Sequence, residues 1–255
     1  MQKSPLATPP NSRFKCIKGV REKIPPESVI HSFLFYSGEL EFNLAKNNRF
    51  IVAHTNKYVI YEFWLSVVSD SQKVAQIAEY LVPLENKRMF QVYQDMYANY
   101  RDPFVRAAIF FILNQCSSDG LVSSGELISN VPSPLFLTYL KNFSSNNFHV
   151  KLDKDENIIS SLRDVKDDEY ILIPAGKYSM NLFEEGKSAG LEETKVYHQK
   201  IKDFFDKTDK KTVLLYYGSP QVFEWYKDCD LKMFNKWGVR TDKQSECAEV
   251  VIANF

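Results

Sequence analysis

The sequence predicts an α/β protein built on a Rossmann-like mixed sheet with helices on both faces, and three observations lead there. Short apolar runs of strand character recur along the chain: "SVIHSFLFYSG" (Ser28 to Gly38), "RFIVAHTN" (Arg49 to Asn56), "EYILI" (Glu169 to Ile173) and "KTVLLYYG" (Lys211 to Gly218). Between them lie stretches with apolar residues at three- and four-residue spacing. The opening order of strand, Gly-containing turn, helix and strand is that of a parallel sheet wound through crossover connections.

Taken in order, Met1 to Phe14 contains three prolines and no periodicity, so residues 1–23 are expected to form an extended arm. Ser28 to Gly38 reads as a buried strand entering a turn, and "ELEFNLAKN" follows with Leu40 and Leu44 on one helical face. Arg49 to Asn56 is the second strand. The stretch 58–148 reads as an inserted lobe. It opens with the helical segments "KYVIYEFWLSVVSD" and "SQKVAQIAEYLVPLENKRMFQVYQDMYANY", and continues into the well-marked helix "DPFVRAAIFFILNQ", whose Pro103 suits a first turn. From Cys116 to Asn147 the chain turns polar and is expected to be irregular. The sheet resumes with Glu169 to Ile173. A helix over Leu191 to Thr208 leads to the strand Lys211 to Gly218, and "LKMFNKWGVRT" and "AEVVIANF" close the sheet as an antiparallel pair. Residues 24–57 and 149–255 thus form the α/β core, with seven strands expected.

Composition narrows the function classes. With 255 residues, 44% hydrophobic and 25% charged, the chain can bury a full core. The 32 Lys and Arg balance 32 Asp and Glu, which argues against a strongly basic nucleic-acid binder. Cys16, Cys116, Cys229 and Cys247 show no CxxC spacing and no nearby His, so free thiols are expected and no metal site. The N-terminal residues lack the apolar core of a signal peptide and no apolar run reaches ~18 residues, so the expected location is the cytoplasm of a host or virus-infected cell, or a virion, without membrane association.

The order of segments resembles the Dam-type DNA adenine methyltransferases, which use S-adenosylmethionine. "YRDPFVRAAIFFILNQCSSDGLVSSGELISNVPSP" is similar to that family's "R-A-A/S-x-F-x-x-L-N" helix running into an "N-G-L-x-R-x-N" turn and an "F-N-V-P" strand, with Arg106, Ala107, Ala108, Phe110, Leu113, Asn114, Gly120, Leu121, Asn130, Val131 and Pro132 in the matching places. "VLLYYGSPQVFEWY" and "AEVVIANF" are similar to its closing segments. The resemblance runs from about Ile24 to Phe255 and implies a methyltransferase sheet whose lobe 58–148 descends from a DNA-recognition lobe.

What the resemblance implies about chemistry is loss. The family's "K-W-x-G-G-K" turn has no counterpart in "ATPPNSRFKCIKG". Its cofactor loop "E-P-F-x-G-x-G" becomes "HSFLFYSGE": Phe33 and Gly38 stand for the Phe and last Gly, His31 replaces the acid, and Leu34, Phe35 and Tyr36 crowd the turn. Its second strand ends "D-I-N", where this chain has His54 for the acid and keeps Asn56. The catalytic "D-P-P-Y" becomes Ile173, Pro174, Ala175 and Gly176. An isoleucine accepts no hydrogen bond from a target amine, and a glycine offers no ring to a flipped base. The acids Asp167, Asp168 and Glu169 precede the strand, at its opposite end. Cys116 to Pro134 contains no Lys or Arg, so any DNA affinity is expected to be weak.

Other candidates have plainer readings. His31 and His54 are more simply solvated or core-satisfied groups than catalytic bases, and "KDFFDKTDKKT" is the solvated face of a helix and its exit turn. The expectation is a catalytically inactive homologue that binds no cofactor and serves as a structural or protein-binding subunit, either as partner of an active methyltransferase or in a viral or other assembly, in a homo- or hetero-oligomer. The alternative is a divergent active enzyme that binds S-adenosylmethionine and uses Pro174 and Tyr178 as a displaced catalytic turn.

Overall fold

The computed structural model describes residues 3–8, 13–46, 48–144, 146–178, 190–192 and 194–255. Eight strands form one mixed sheet in the order β3-β2-β1-β4-β5-β8-β6-β7, an arrangement compatible with a Rossmann-like fold. The parallel half comprises β1 (Val29–Ser32), β2 (Phe50–Thr55), β3 (Phe148–Leu152), β4 (Tyr170–Gly176) and β5 (Thr212–Tyr217). The last long strand, β8 (Glu249–Ala253), runs antiparallel to both β5 and β6 (Asp230–Phe234) and lies between them. The two closing segments do pair antiparallel, as expected. The eighth strand is the two-residue β7 (Arg240–Thr241), a hairpin partner of β6 too short to be read from alternation.

The central strands read as continuous apolar runs because both faces are covered. On one face α2 (Glu39–Ala45) reaches β1 and β3: the Ser32 hydroxyl donates to Glu41 Oε1 at 2.7 Å, and the Phe42 ring meets Phe148 at 5.0 Å edge-on. On the other face α8 (His198–Lys207) meets β5, with His198 Nδ1 3.0 Å from the Tyr216 hydroxyl.

The inserted segment packs directly on the core. The long helix α3 (Tyr58–Tyr80) carries Trp64, fully buried among Phe35, Phe42, Phe63, Phe143 and Phe148. The helices α4 (Lys87–Met96) and α5 (Pro103–Cys116) follow it, and α5 begins as expected with Pro103 in its first turn and the Asp102 carboxylate accepting from Phe104 N.

Four expectations need correction. The segment 1–23 is not simply an extended arm: α1 occupies Ile17–Lys23, and Leu6, Phe14 and Cys16 are buried. The cause is distant in sequence, since the Glu249 carboxylate accepts from Lys15 N and Cys16 N and anchors the helix start on β8. Residues 116–147, expected to be irregular, contain α6 (Pro134–Lys141), which Pro134 starts in the same way as Pro103 starts α5. Phe148, counted with the lobe, opens strand β3, whose alternating exposure marks a sheet edge. A short helix, α7 (Ile159–Arg163), fills the connection from β3 to β4. The helix expected over Leu191 to Thr208 forms only from His198, and part of the earlier stretch lies outside the described residues.

Candidate functional site

In an open parallel sheet a ligand site forms outside the carboxyl ends of the strands where the winding reverses. Here that point lies between β1 and β4, which pair while their onward connections run to opposite sides. The segments after these two strands are Phe33 to Gly38 and Lys177 onward, so the structure sets the Phe33–Gly38 turn beside the end of β4. Among the described residues a cavity of about 20 Å³ lies at this junction, lined by Phe14, Leu34, Tyr36, Ser37, Gly38, Leu40, Glu41 and Pro174. A space of that size holds about one water.

Each side of this junction is filled by identifiable side chains. Phe33, Leu34, Phe35 and Tyr36 are all buried. Leu34 adopts φ 57°, a left-handed conformation that costs a bulky residue roughly 1–2 kcal/mol. The surroundings hold it there: the Trp64 indole donates to Tyr36 O at 2.7 Å, and Phe35 N donates to His54 O at 3.0 Å. Gly38 is retained for the backbone, because at φ 77° an added Cβ would lie 2.4 Å from the Phe42 ring.

The N-terminal segment closes the junction from above. Ser4 Oγ donates to Ser37 O, Thr8 Oγ1 lies 2.9 Å from Ser37 Oγ and donates to Glu39 Oε2 at 2.8 Å, and Asn114 grips Ala7 through both its amide atoms. Asn114 also donates to Gly120 O at 2.8 Å, which Tyr36 OH reaches at 3.1 Å. Two residues of the matched helix and turn, Asn114 and Gly120, therefore fasten the segment that covers the junction.

The four positions corresponding to the catalytic tetrapeptide all lie in β4 and are fully buried. Pro174 is tolerated inside a strand because β1 pairing ends at Leu172. By alternation its nitrogen points toward that unpaired side. The register shifts between Pro174 and Gly176, and Gly176 takes φ 69°. Tyr178 is not free to swing: its ring stacks on His198 with centroids 4.6 Å apart and meets Trp225 edge-on at 5.2 Å. Ser179 and the following residues to 189 lie outside the described residues.

Sequence reasoning treated His31 and His54 as separate groups, and the structure joins them. Glu169 Oε2 lies 3.0 Å from His31 Nε2, His31 Nδ1 lies 2.9 Å from His54 Nε2, and His54 Nδ1 lies 2.9 Å from Asp153 Oδ1. Phe33 stacks on His54 at 4.2 Å. Three contacts need three hydrogens, whereas two neutral imidazoles carry two. One further hydrogen is therefore carried by the pair or by one of its two carboxyl partners. Burial first, then the charge of His54, lowers the pKa of His31, which favours its neutral form. Burial opposes ionisation of Glu169, but hydrogen bonds from Lys166 and the nearby His31 hold its carboxyl below the usual range. Asp153 and Glu169 were not linked to the pair because neither stands near His31 or His54 in sequence.

Asn56 donates to Glu156 O at 3.1 Å and fastens the connection after β3. Glu41 borders the small cavity, where burial pushes its carboxyl above the usual range against the opposing pull of the Ser32 hydroxyl. Among the described residues no group of His, Cys, Asp and Glu could hold a metal ion, and no helix is long and apolar enough to cross a membrane. The turn that follows α5 exposes Asp119 and Glu126, with no cation in 116–134. Arg106 of the matched helix is spent on an ion pair with Glu62.

The geometry so far defines an α/β protein with a filled junction at its switch point. No protein-family model matches the sequence, and no curated protein matches it.

Proposed function

We propose that this chain is a catalytically inactive homologue of the DNA adenine methyltransferases, retained as a structural or protein-binding subunit. The carrying observation is the cavity of about 20 Å³ where cofactor and target base would meet. Cofactor-sized ligands occupy sites on the order of 300–1,000 Å³. Supporting it, both acid positions are taken by histidines engaged with each other and with Asp153 and Glu169. The mixed sheet is compatible with the Rossmann-like fold that this reading requires.

A folded chain needs no open pocket to present a surface, so loss of the site leaves binding to other proteins intact. Calorimetry of the whole chain with S-adenosylmethionine should give no heat of binding, and labelled methyl should not pass to DNA. Tight cofactor binding, or methyl transfer that disappears in Tyr178→Ala, would instead establish the divergent enzyme. Co-purification from the native source, read by mass spectrometry, should return a stoichiometric protein partner or a homo-oligomer.

A further inference from the structure

At the other end of the sheet the chain is open. Between α7 and α8, toward the amino ends of β4 and β5, lies a cleft of about 510 Å³ lined by Arg163, Lys200, Lys207 and Lys210 with one carboxylate, Asp203. Ile159 and the half-buried Phe204 supply its apolar lining, with Asn157 and Thr208 as polar groups. Lys200, Asp203, Phe204 and Lys207 fall at three- and four-residue spacing, so they form one stripe of α8 facing the cleft.

The charge here contrasts with the rest of the molecule. The chain has no net charge, and its lysines elsewhere are commonly paired: Lys23 with Asp230, Lys141 with Glu79, Lys232 with Glu22, Lys243 with Glu246. On α8 itself Lys202 pairs with Asp206 on a different side of the helix. In the cleft, Arg163 and Lys207 have no acidic partner among the described residues. Among the described residues Lys200 lies over the Tyr197 ring and Asp203 accepts from Gln199 at 2.8 Å. Lys210 is held by Val165 O and Asp167. With Lys210 set aside as paired, Arg163, Lys200 and Lys207 against Asp203 leave a formal excess of two positive charges in a concave space of ligand size.

We infer that this cleft binds a phosphorylated nucleoside. Arg163, Lys200 and Lys207 take the phosphate, the guanidinium as a two-pronged donor and the lysines as point charges. Phe204 offers a ring to the base, and Asn157 and Thr208 offer hydrogen bonds to its edge or to the sugar. An aromatic between cations is the arrangement that holds one nucleotide unit regardless of sequence. The unit comes either from a free nucleotide or from a single strand, and salt dependence separates them. A free nucleotide gives a shallow response, whereas a strand contacting three cations gives a slope of log affinity against log salt near about −2.

The test titrates the full chain with adenosine 5′-monophosphate, inorganic phosphate, a short oligothymidylate and an acidic peptide, read by calorimetry and amide chemical shifts. Nucleotide or oligonucleotide binding should shift the amides of α7 and α8. Arg163→Glu and Lys207→Glu should each weaken it by roughly tenfold or more, while Lys243→Glu, at a paired and exposed site, should not. Phe204→Leu should weaken nucleotide binding without changing that of phosphate. Binding unaffected by the two charge reversals, inorganic phosphate as tight as the nucleotide, or the acidic peptide alone binding would each overturn the inference. Circular dichroism of the variants guards against misfolding. Failure here leaves the inactive-homologue reading untouched, since that reading concerns the opposite end of the sheet.

Discussion

Replacing His54 by leucine tests the proton inventory of the buried histidine pair. His54 and Asp153 have side chains 1% and 2% exposed, so His54→Leu leaves a carboxylate sealed from water with its imidazole partner gone. Breaking such a pair costs about 3–5 kcal/mol. Against a net stability of about 5–15 kcal/mol for a domain, the variant should fold but with a large drop in denaturant midpoint. Adding Asp153→Leu removes the stranded charge, so the double variant should be less unstable than the two single losses summed, by roughly 1–3 kcal/mol of coupling. The stranded Asp153 should also protonate more readily, which narrows the gap between His54→Leu and the parent as pH falls. Urea unfolding at several pH values measures all three quantities, and 15N shifts of the parent's imidazoles report which ring nitrogens carry hydrogen. A loss below about 1 kcal/mol, or a gap independent of pH, would refute the reasoning.

Acid should destabilise the parent through the same cluster. His31 has a lowered folded pKa, so its contribution is complete above its unfolded value near about 6.5 and declines as pH falls toward the folded value; Glu169, also lowered, adds a further loss below about 4.3. Glu41 works in the opposite sense: its raised folded pKa means stability is lost as pH rises through that value, so Glu41→Gln should raise the thermal midpoint more at pH 8 than at pH 5. Gly38→Ala should cost about 1–3 kcal/mol, read by urea unfolding, because the new methyl meets the Phe42 ring at a positive φ. Of the free thiols, the half-buried Cys229 and Cys247 should react with a disulfide reagent first. Cys16 and Cys116 are buried, the latter's pKa pushed up to about 12, and should react only on unfolding.

Much of the architecture was legible because strands buried on both faces announce themselves as apolar runs. β4, β5 and β8 are of that kind, and α5 carries its own start signal in Asp102 and Pro103. What escaped notice depended on context. β3 is an edge strand of five residues whose alternation, Phe148, Val150 and Leu152 against His149 and Lys151, is present in the sequence but short. α1 owes its position to Glu249, more than 200 residues away. At the candidate site, the substitutions for acid, glycine and aromatic were readable one by one. Their joint consequence, a junction closed by Tyr36, Trp64, Asn114 and the N-terminal segment, was not, because those contacts join parts of the chain far apart in sequence.

The sequence by itself determined the α/β class and the order of its main elements, since apolar periodicity and side-chain chemistry are local properties. Tertiary structure alone decided that His31 and His54 meet between Glu169 and Asp153, that Leu34, Tyr36 and Pro174 come together at the switch point, and that Arg163 and Lys207 converge on an open cleft. Each of these depends on distances between residues that chain order leaves unspecified, and hydrogen bonding, burial and charge act through those distances.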